Sequence, residues 1–243
     1  MNRTKKSAGY IMWQGPSALD GHPIAVIATM QTSNIKTGNM IQVWIIRSDV
    51  SPIEASKTGA DYSICGSCQH RHYNDGACYV NLGQAPLAIY RSFKKGNYPR
   101  FEQALHGHFF SKRQIRLGAY GDPAAAPFWV MSEMVQRGAG HTAYTHQARH
   151  LNFDNRFLEI AMVSADTPKQ ALKYHELGAK TFRIALEDDG VLADEVQCLS
   201  EWAGLDCADC LLCDAKNQNV VVQVHGSRKA NFKSKLIELK EVA

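Results

Sequence analysis

From residue 115 onward, short runs of β-branched and aromatic residues alternate with segments of helical periodicity, which restricts the chain to a small set of folds. "QIRLGAYGD" reads as a strand ending in Gly and Asp, and "PFWVMSEMVQRGAG" follows as a helix with a Gly stop. The pattern returns in "HTAYTHQ", then in "LEIAMVSAD" before the helical "TPKQALKYHELG", where Asp166 or Thr167 can cap and Pro168 suits the first turn. "KTFRIALED" and "NVVVQVHG" add two more strands. Such alternation implies parallel pairing through right-handed crossovers. The N-terminal half is compatible: "PIAVIATM" and "MIQVWIIRSD" flank a turn, "SPIEASKTGA" is a short helix capped by Ser51, and "VNLGQAPLAIYRSFKKG" is another helix. Five to seven strands are too few for an eight-fold barrel, so the expected fold is α/β, a (βα)6-type partial TIM barrel with cysteine-rich insertions. No Gly-, Pro- or Ser-rich linker divides it. The expected organisation is a basic tail at 1–18, one barrel-like domain at 19–226 and a basic extension at 227–243.

The cysteines need a separate account. All seven fall into two groups: Cys65, Cys68 and Cys78 as C-x2-C-x9-C, and Cys198, Cys207, Cys210 and Cys213 as C-x8-C-x2-C-x2-C. The start, "MNRTKKSAGY", lacks an apolar signal region and no run reaches membrane-spanning length, so the expected setting is cytoplasmic, with no membrane partner. In a reducing compartment clustered thiols serve metals or redox chemistry, and an odd number cannot pair fully into disulfides. Three thiols in succession at x2 spacing suit an iron-sulfur cluster, and Cys198 can complete four ligands to one 4Fe-4S centre. The first group supplies three thiols with His70 and His72 between them. It suits a second cluster with one iron left open, or a zinc site closed by an imidazole.

Polar residues at strand C-terminal ends line the site in a barrel, which nominates Asp122, His146, Asp166, Glu187, Asp188 and His225. Asp122, His146, Asp166 and His225 are the catalytic candidates, although Asp122 and Asp166 also suit helix caps. His106 and His108 in "LHGHFF" read as a loop pair. The net charge of +4, with Lys and Arg collected in "NRTKK", "RSFKKGNYPR", "SKRQIR" and "GSRKANFKSK", allows weak nucleic-acid binding or simply solvated faces.

"SNIKTGNMIQVWII", "ICGSCQHR" to "ACYVN", "AYGDPAAAP", "YTHQ" and the cysteine-rich tail before "VQVHG" resemble a family of uncharacterised tailed-bacteriophage proteins over most of residues 19–226. That resemblance implies a phage protein working in the host cytoplasm. Cysteines after early strands together with a C-terminal cysteine-rich segment are similar, in architecture, to radical S-adenosylmethionine enzymes with an auxiliary cluster. Such enzymes typically place the reactive cluster on C-x3-C-x2-C, and this chain has C-x2-C-x9-C instead. The expected function is an iron-sulfur protein, as a radical S-adenosylmethionine-like or other redox enzyme on a small molecule or nucleotide. The alternatives are a zinc-stabilised nucleic-acid-binding protein and an electron-transfer protein.

Overall fold

The computed structural model describes residues 7–30, 34–186, 189–224 and 229–234. Nine strands make one open, mostly parallel sheet: β1 (Gly9–Pro16), β2 (Pro23–Thr29), β3 (Ile41–Arg47), β4 (Gln114–Tyr120), β5 (Gly140–Thr145), β6 (Met162–Ala165), β7 (Thr181–Ala185), β8 (Glu195–Gln197) and β9 (Asn219–Gln223). Their order across the sheet is β1-β2-β3-β4-β5-β6-β7-β9-β8. β1, β2 and β3 are antiparallel, and every neighbouring pair from β3 onward is parallel.

Helices with described bounds include α1 (Pro52–Thr58), α2 (Tyr62–Cys65), α3 (Ala85–Lys94), α4 (Gln103–His106), α5 (Phe128–Arg137), α6 (Pro168–Glu176), α7 (Leu199–Trp202) and α8 (Cys207–Cys210). Ser51 caps α1 through the Glu54 N–H, with Pro52 in its first turn. Thr167, not Asp166, caps α6 through the Gln170 N–H. His106 ends α4 and His108 lies in a 3-10 turn, so the pair expected in a loop is helical.

The strand count exceeds the expected five to seven for two reasons. Residues 9–16, expected within a basic tail, form edge strand β1, because Tyr10 is buried against Phe101 and Phe109. Residues 195–197 add the short β8. The outer edge of β1 is partly covered: Ile11 N–H donates to the Pro99 carbonyl and Phe101 N–H to the Ile11 carbonyl, which blunts it against pairing with other chains.

β2 and β3 are buried on both faces almost throughout, which is why they read as unbroken apolar runs. From β4 onward the two faces differ. Ile115 and Leu117 join Val130, Met131 and Met134 of α5 in the main core, and Val163 clusters with Tyr174 of α6. Residues of the other parity, among them Arg116, Tyr144, Ser164, Phe182 and Val222, line a cavity on the opposite face.

Strand order explains what covers that cavity. β4, β5, β6 and β7 advance across the sheet in sequence, but β8 lies outside β9, so the β8-to-β9 connection runs back toward the centre. A right-handed crossover in the reverse direction falls on the face opposite the forward ones. The segment carrying α7 and α8 is therefore on the cavity side, where Leu211 closes on Gly140 of β5.

Candidate metal centre

All seven cysteines are free, and all seven line the same cavity of about 290 Å³. The first group is built by the long β3-to-β4 connection. Gly66 ends α2 with φ +51°, and Cys68 N–H donates to the Cys65 carbonyl, so C-x2-C is one tight turn. The nine-residue gap to Cys78 closes because Cys78 N–H donates to the His70 carbonyl at 2.9 Å and Gly76 N–H to the Arg71 carbonyl.

The turn is held from across the sheet by Gln147, which is fully buried. Its Nε2 donates to the Cys65 carbonyl at 2.8 Å, and its Oε1 accepts from Ser67 N–H at 3.1 Å. Asp122 in turn accepts from Gln147 Nε2 at 3.2 Å and from His146 N–H at 2.8 Å with one oxygen, while the other accepts from Ala124 N–H. Asp122 thus caps a turn and ties two loops together, and burial raises its pKa. It is a positioning residue.

The second group sits on the β8-to-β9 connection. Cys207 and Cys210 share the single turn of α8, capped by Asp206 through the Asp209 N–H, and Leu211 in the left-handed region turns the chain toward Cys213. Cys198 N–H donates to the Val221 carbonyl, and the Cys213 carbonyl accepts from Ala143 N–H. Burial pushes the Cys213 thiol up to about 12 and raises Cys198 and Cys207 as well. Burial likewise holds Cys65 well above the usual thiol value. These thiols stay protonated at neutral pH unless a cation draws the proton off. Cys65 feels Cys68 and Cys78, whereas Cys213 feels Cys198, Cys207 and Cys210, the same partition as in the sequence.

Tetrahedral zinc-thiolate bonds of about 2.3 Å place sulfurs about 3.8 Å apart. Among the described residues no set of three cysteine sulfurs lies within 4.8 Å of one another. A mononuclear thiolate site is therefore not closed by either group. His72 Nε2 bonds to the Val80 carbonyl at 3.1 Å and serves the loop.

Beside the second group, Arg116 projects from β4. Its Nη2 donates to Tyr79 Oη at 3.0 Å, its Nε is buried without a hydrogen-bond partner, and it makes no ion pair with a carboxylate among the described residues. Burial works against its charge, yet the neighbouring Tyr79, Tyr144 and Cys207 outweigh this and raise its pKa. A guanidinium beside four thiols, in a cavity that Lys36 also lines, suits an anionic occupant there.

At the other end of the cavity, Asp166 and His146 meet, as the strand-end argument anticipates, but His70 joins them. His70 Nε2 lies 2.8 Å and His146 Nε2 3.8 Å from Asp166 Oδ1. Burial favours a neutral Asp166, but His146 and His70 outweigh it and hold the carboxyl far below the usual range. Burial also works against a charged His146, and the adjacent Cys68 and Asp166 outweigh it, so its pKa is well above the ordinary value. Glu187, Asp188 and His225 lie outside the described residues. Sequence reasoning missed Gln147, the Arg116 and tyrosine pairing, and the convergence of His70 on Asp166. Arg116 alone carried a signal, as a charge inside an otherwise apolar strand.

The chain matches no protein-family model, no curated protein and no solved structure. Its function has to be read from the chemistry of this site.

Proposed function

We propose that this chain is an iron-sulfur protein in which the two thiol groups hold clusters facing one shared cavity. The observation that carries the reading is that every cysteine of the chain lines that cavity. Seven thiols distributed over two connections more than a hundred residues apart have no packing reason to converge on one face. One further feature supports it. Arg116 suits a net negative cluster at Cys198, Cys207, Cys210 and Cys213, since such a charge would compensate a guanidinium that makes no ion pair with a carboxylate among the described residues.

We read the fold as a partial barrel of (βα)6 type, on the ground that β3, β4, β5, β6, β7 and β9 are parallel and follow one another in sequence order. On this reading the resemblance to cysteine-rich tailed-phage proteins and the likeness to radical S-adenosylmethionine enzymes are extended to the chain as proposals, and its setting is the reducing cytoplasm of a host. No helix among the described residues is long and apolar enough to cross a membrane.

A bound cluster supplies one-electron chemistry, and three cysteines leave one iron of the first cluster without a thiolate ligand. The chain's own residues do the rest. Gln147 and Asp122 fix the C-x2-C turn, Arg116 sets the charge around the second group, and Phe182, Ile184 and Val222 give the cavity an apolar wall. A cavity of about 290 Å³ is at the lower bound for small-ligand pockets of about 300–1,000 Å³, which favours a small molecule or nucleotide fragment as substrate.

The test is anaerobic purification followed by iron and acid-labile sulfide determination. The expected result is a brown protein with iron and sulfide in near-equal amounts, partly lost in Cys65→Ser and in Cys207→Ser. Zinc alone, without sulfide, overturns the reading. Perturbation of the cluster's paramagnetic resonance spectrum by S-adenosylmethionine tests the enzymatic part; reversible reduction with no such perturbation assigns the chain to electron transfer.

A further inference from the structure

We infer that His70, His146 and Asp166 form a mononuclear binding site for a divalent first-row transition ion, beside the first thiol group but using none of its sulfurs, and opening toward a second cavity. The inference uses no cysteine and stands independently of the cluster reading.

Geometry carries it. Among the described residues, these three are the set of potential metal ligands whose donor atoms all lie within 4.8 Å of one another. Both imidazoles present Nε2 to the same oxygen, Asp166 Oδ1, at 2.8 and 3.8 Å. Metal bonds of about 2.0–2.2 Å to nitrogen and oxygen place two ligands of a tetrahedral ion about 3.4 Å apart. The two separations lie on either side of that value, so small movements of both imidazoles, His70 away from and His146 toward Asp166, let one ion replace the mixed contact. At 3.8 Å the His146 contact is too long for a hydrogen bond. His146 Nε2 is accordingly a buried nitrogen with no hydrogen-bond partner, aimed at a carboxylate. An imidazole left in that state loses hydration without recovering it, and an ion on Nε2 restores the balance.

The three ligands come from separate elements that are already fixed. His70 is 5% exposed and stacks on Phe232, with ring centroids 5.1 Å apart. His146 is held by its N–H to Asp122, and Asp166 N–H donates to Gln170 Oε1. Two imidazoles and one carboxylate leave coordination positions for water or a ligand, and this donor set suits Mn2+, Fe2+, Co2+ or Zn2+ rather than a thiophilic ion. Access is available: His146 and Asp166 also line a cavity of about 580 Å³ whose wall carries Arg149, Asn152 and Gln170. That wall offers hydrogen bonds to an oxygen-rich ligand of the ion.

The experiment is a room-temperature paramagnetic resonance titration of Mn2+ into the full chain as purified, reading the free-ion signal, with Zn2+ then added as competitor. The expected result is one Mn2+ bound per chain, displaced by Zn2+, with affinity reduced at least about tenfold in Asp166→Asn and in His146→Gln. Iron and sulfide contents measured on Asp166→Asn are expected to be unchanged, so loss of the clusters and loss of this site are separately visible. Urea unfolding of each variant identifies any that has lost its fold, and His70→Gln is the substitute in that case. Absence of bound Mn2+ in the folded wild type, or equal affinity in the folded variants, overturns the inference.

Discussion

At Gly66 the backbone sits at φ +51° and ψ −130°, and a β-carbon there would lie 2.1 Å from Gln147 Oε1. Both facts exclude a side chain, so Gly66→Ala forces the C-x2-C turn away from Gln147. Strained backbone of this kind costs about 1–3 kcal/mol. We expect a loss of that order in urea unfolding, together with loss of iron from the first group alone in the metal assay. The need for glycine here was not legible, because the Gln147 that bonds Ser67 stands 80 positions along the chain. Asp122 was legible as either a cap or a site residue, and it uses one oxygen for a cap and the other to hold two loops. A second prediction concerns His141, which is 3% exposed, bonds to the Ile160 carbonyl at 2.9 Å and has its pKa lowered by burial. Between the folded and unfolded values the unfolded chain binds the extra proton, so stability rises with pH through that window. The contribution is fully present above the ordinary histidine value near 6.5 and falls away below it. In His141→Gln the drop in unfolding free energy between pH 7 and pH 5 should be smaller than in the wild type; equal slopes would refute the assignment.

Among the elements, α1, α6 and the strands from β4 to β7 were readable because local chemistry fixes them: a cap, a proline in the first turn, a glycine stop. β1 was missed because its apolar residues follow a charged head, and its burial depends on Phe101 and Phe109, about ninety residues away. Between β7 and β8 the dependence is on a contact twelve positions apart. Arg183 meets Glu195 in a bidentate pair at 2.7 and 2.6 Å with both side chains fully buried, and Glu195 Oε2 also accepts from Leu192 N–H. This pair anchors β8 and therefore the start of the second cysteine segment. Removing one partner of a buried pair leaves the other charge uncompensated, at about 3–5 kcal/mol. Glu195→Gln should lower the unfolding free energy by about that amount, and Arg156→Gln, in the exposed pair with Asp154, should leave the midpoint where it was. Similar midpoints for both variants would show that the buried pair does not anchor the region.

For the whole molecule, the consequential feature is the reversal of strand order at β8 and β9, which puts both cysteine segments on the same face. Their helices α2, α7 and α8 are four residues each, too short to persist on their own. β2 and β3, in contrast, are buried on both faces. The molecule therefore combines a core that holds itself together with a cavity wall that, on the proposed reading, is ordered by what the thiols bind. An occupant that binds only the folded wall stabilises it by about 2.7 kcal/mol at a hundred times its dissociation constant. Stripping metal with a chelator under anaerobic conditions should then accelerate amide exchange across residues 65–78 and 198–213 together, while β2 and β3 keep their protection. Unchanged protection in both segments would mean that the wall is ordered by packing alone. Acceleration in a single segment would mean that the two thiol groups bind metal independently and share a cavity without sharing stability.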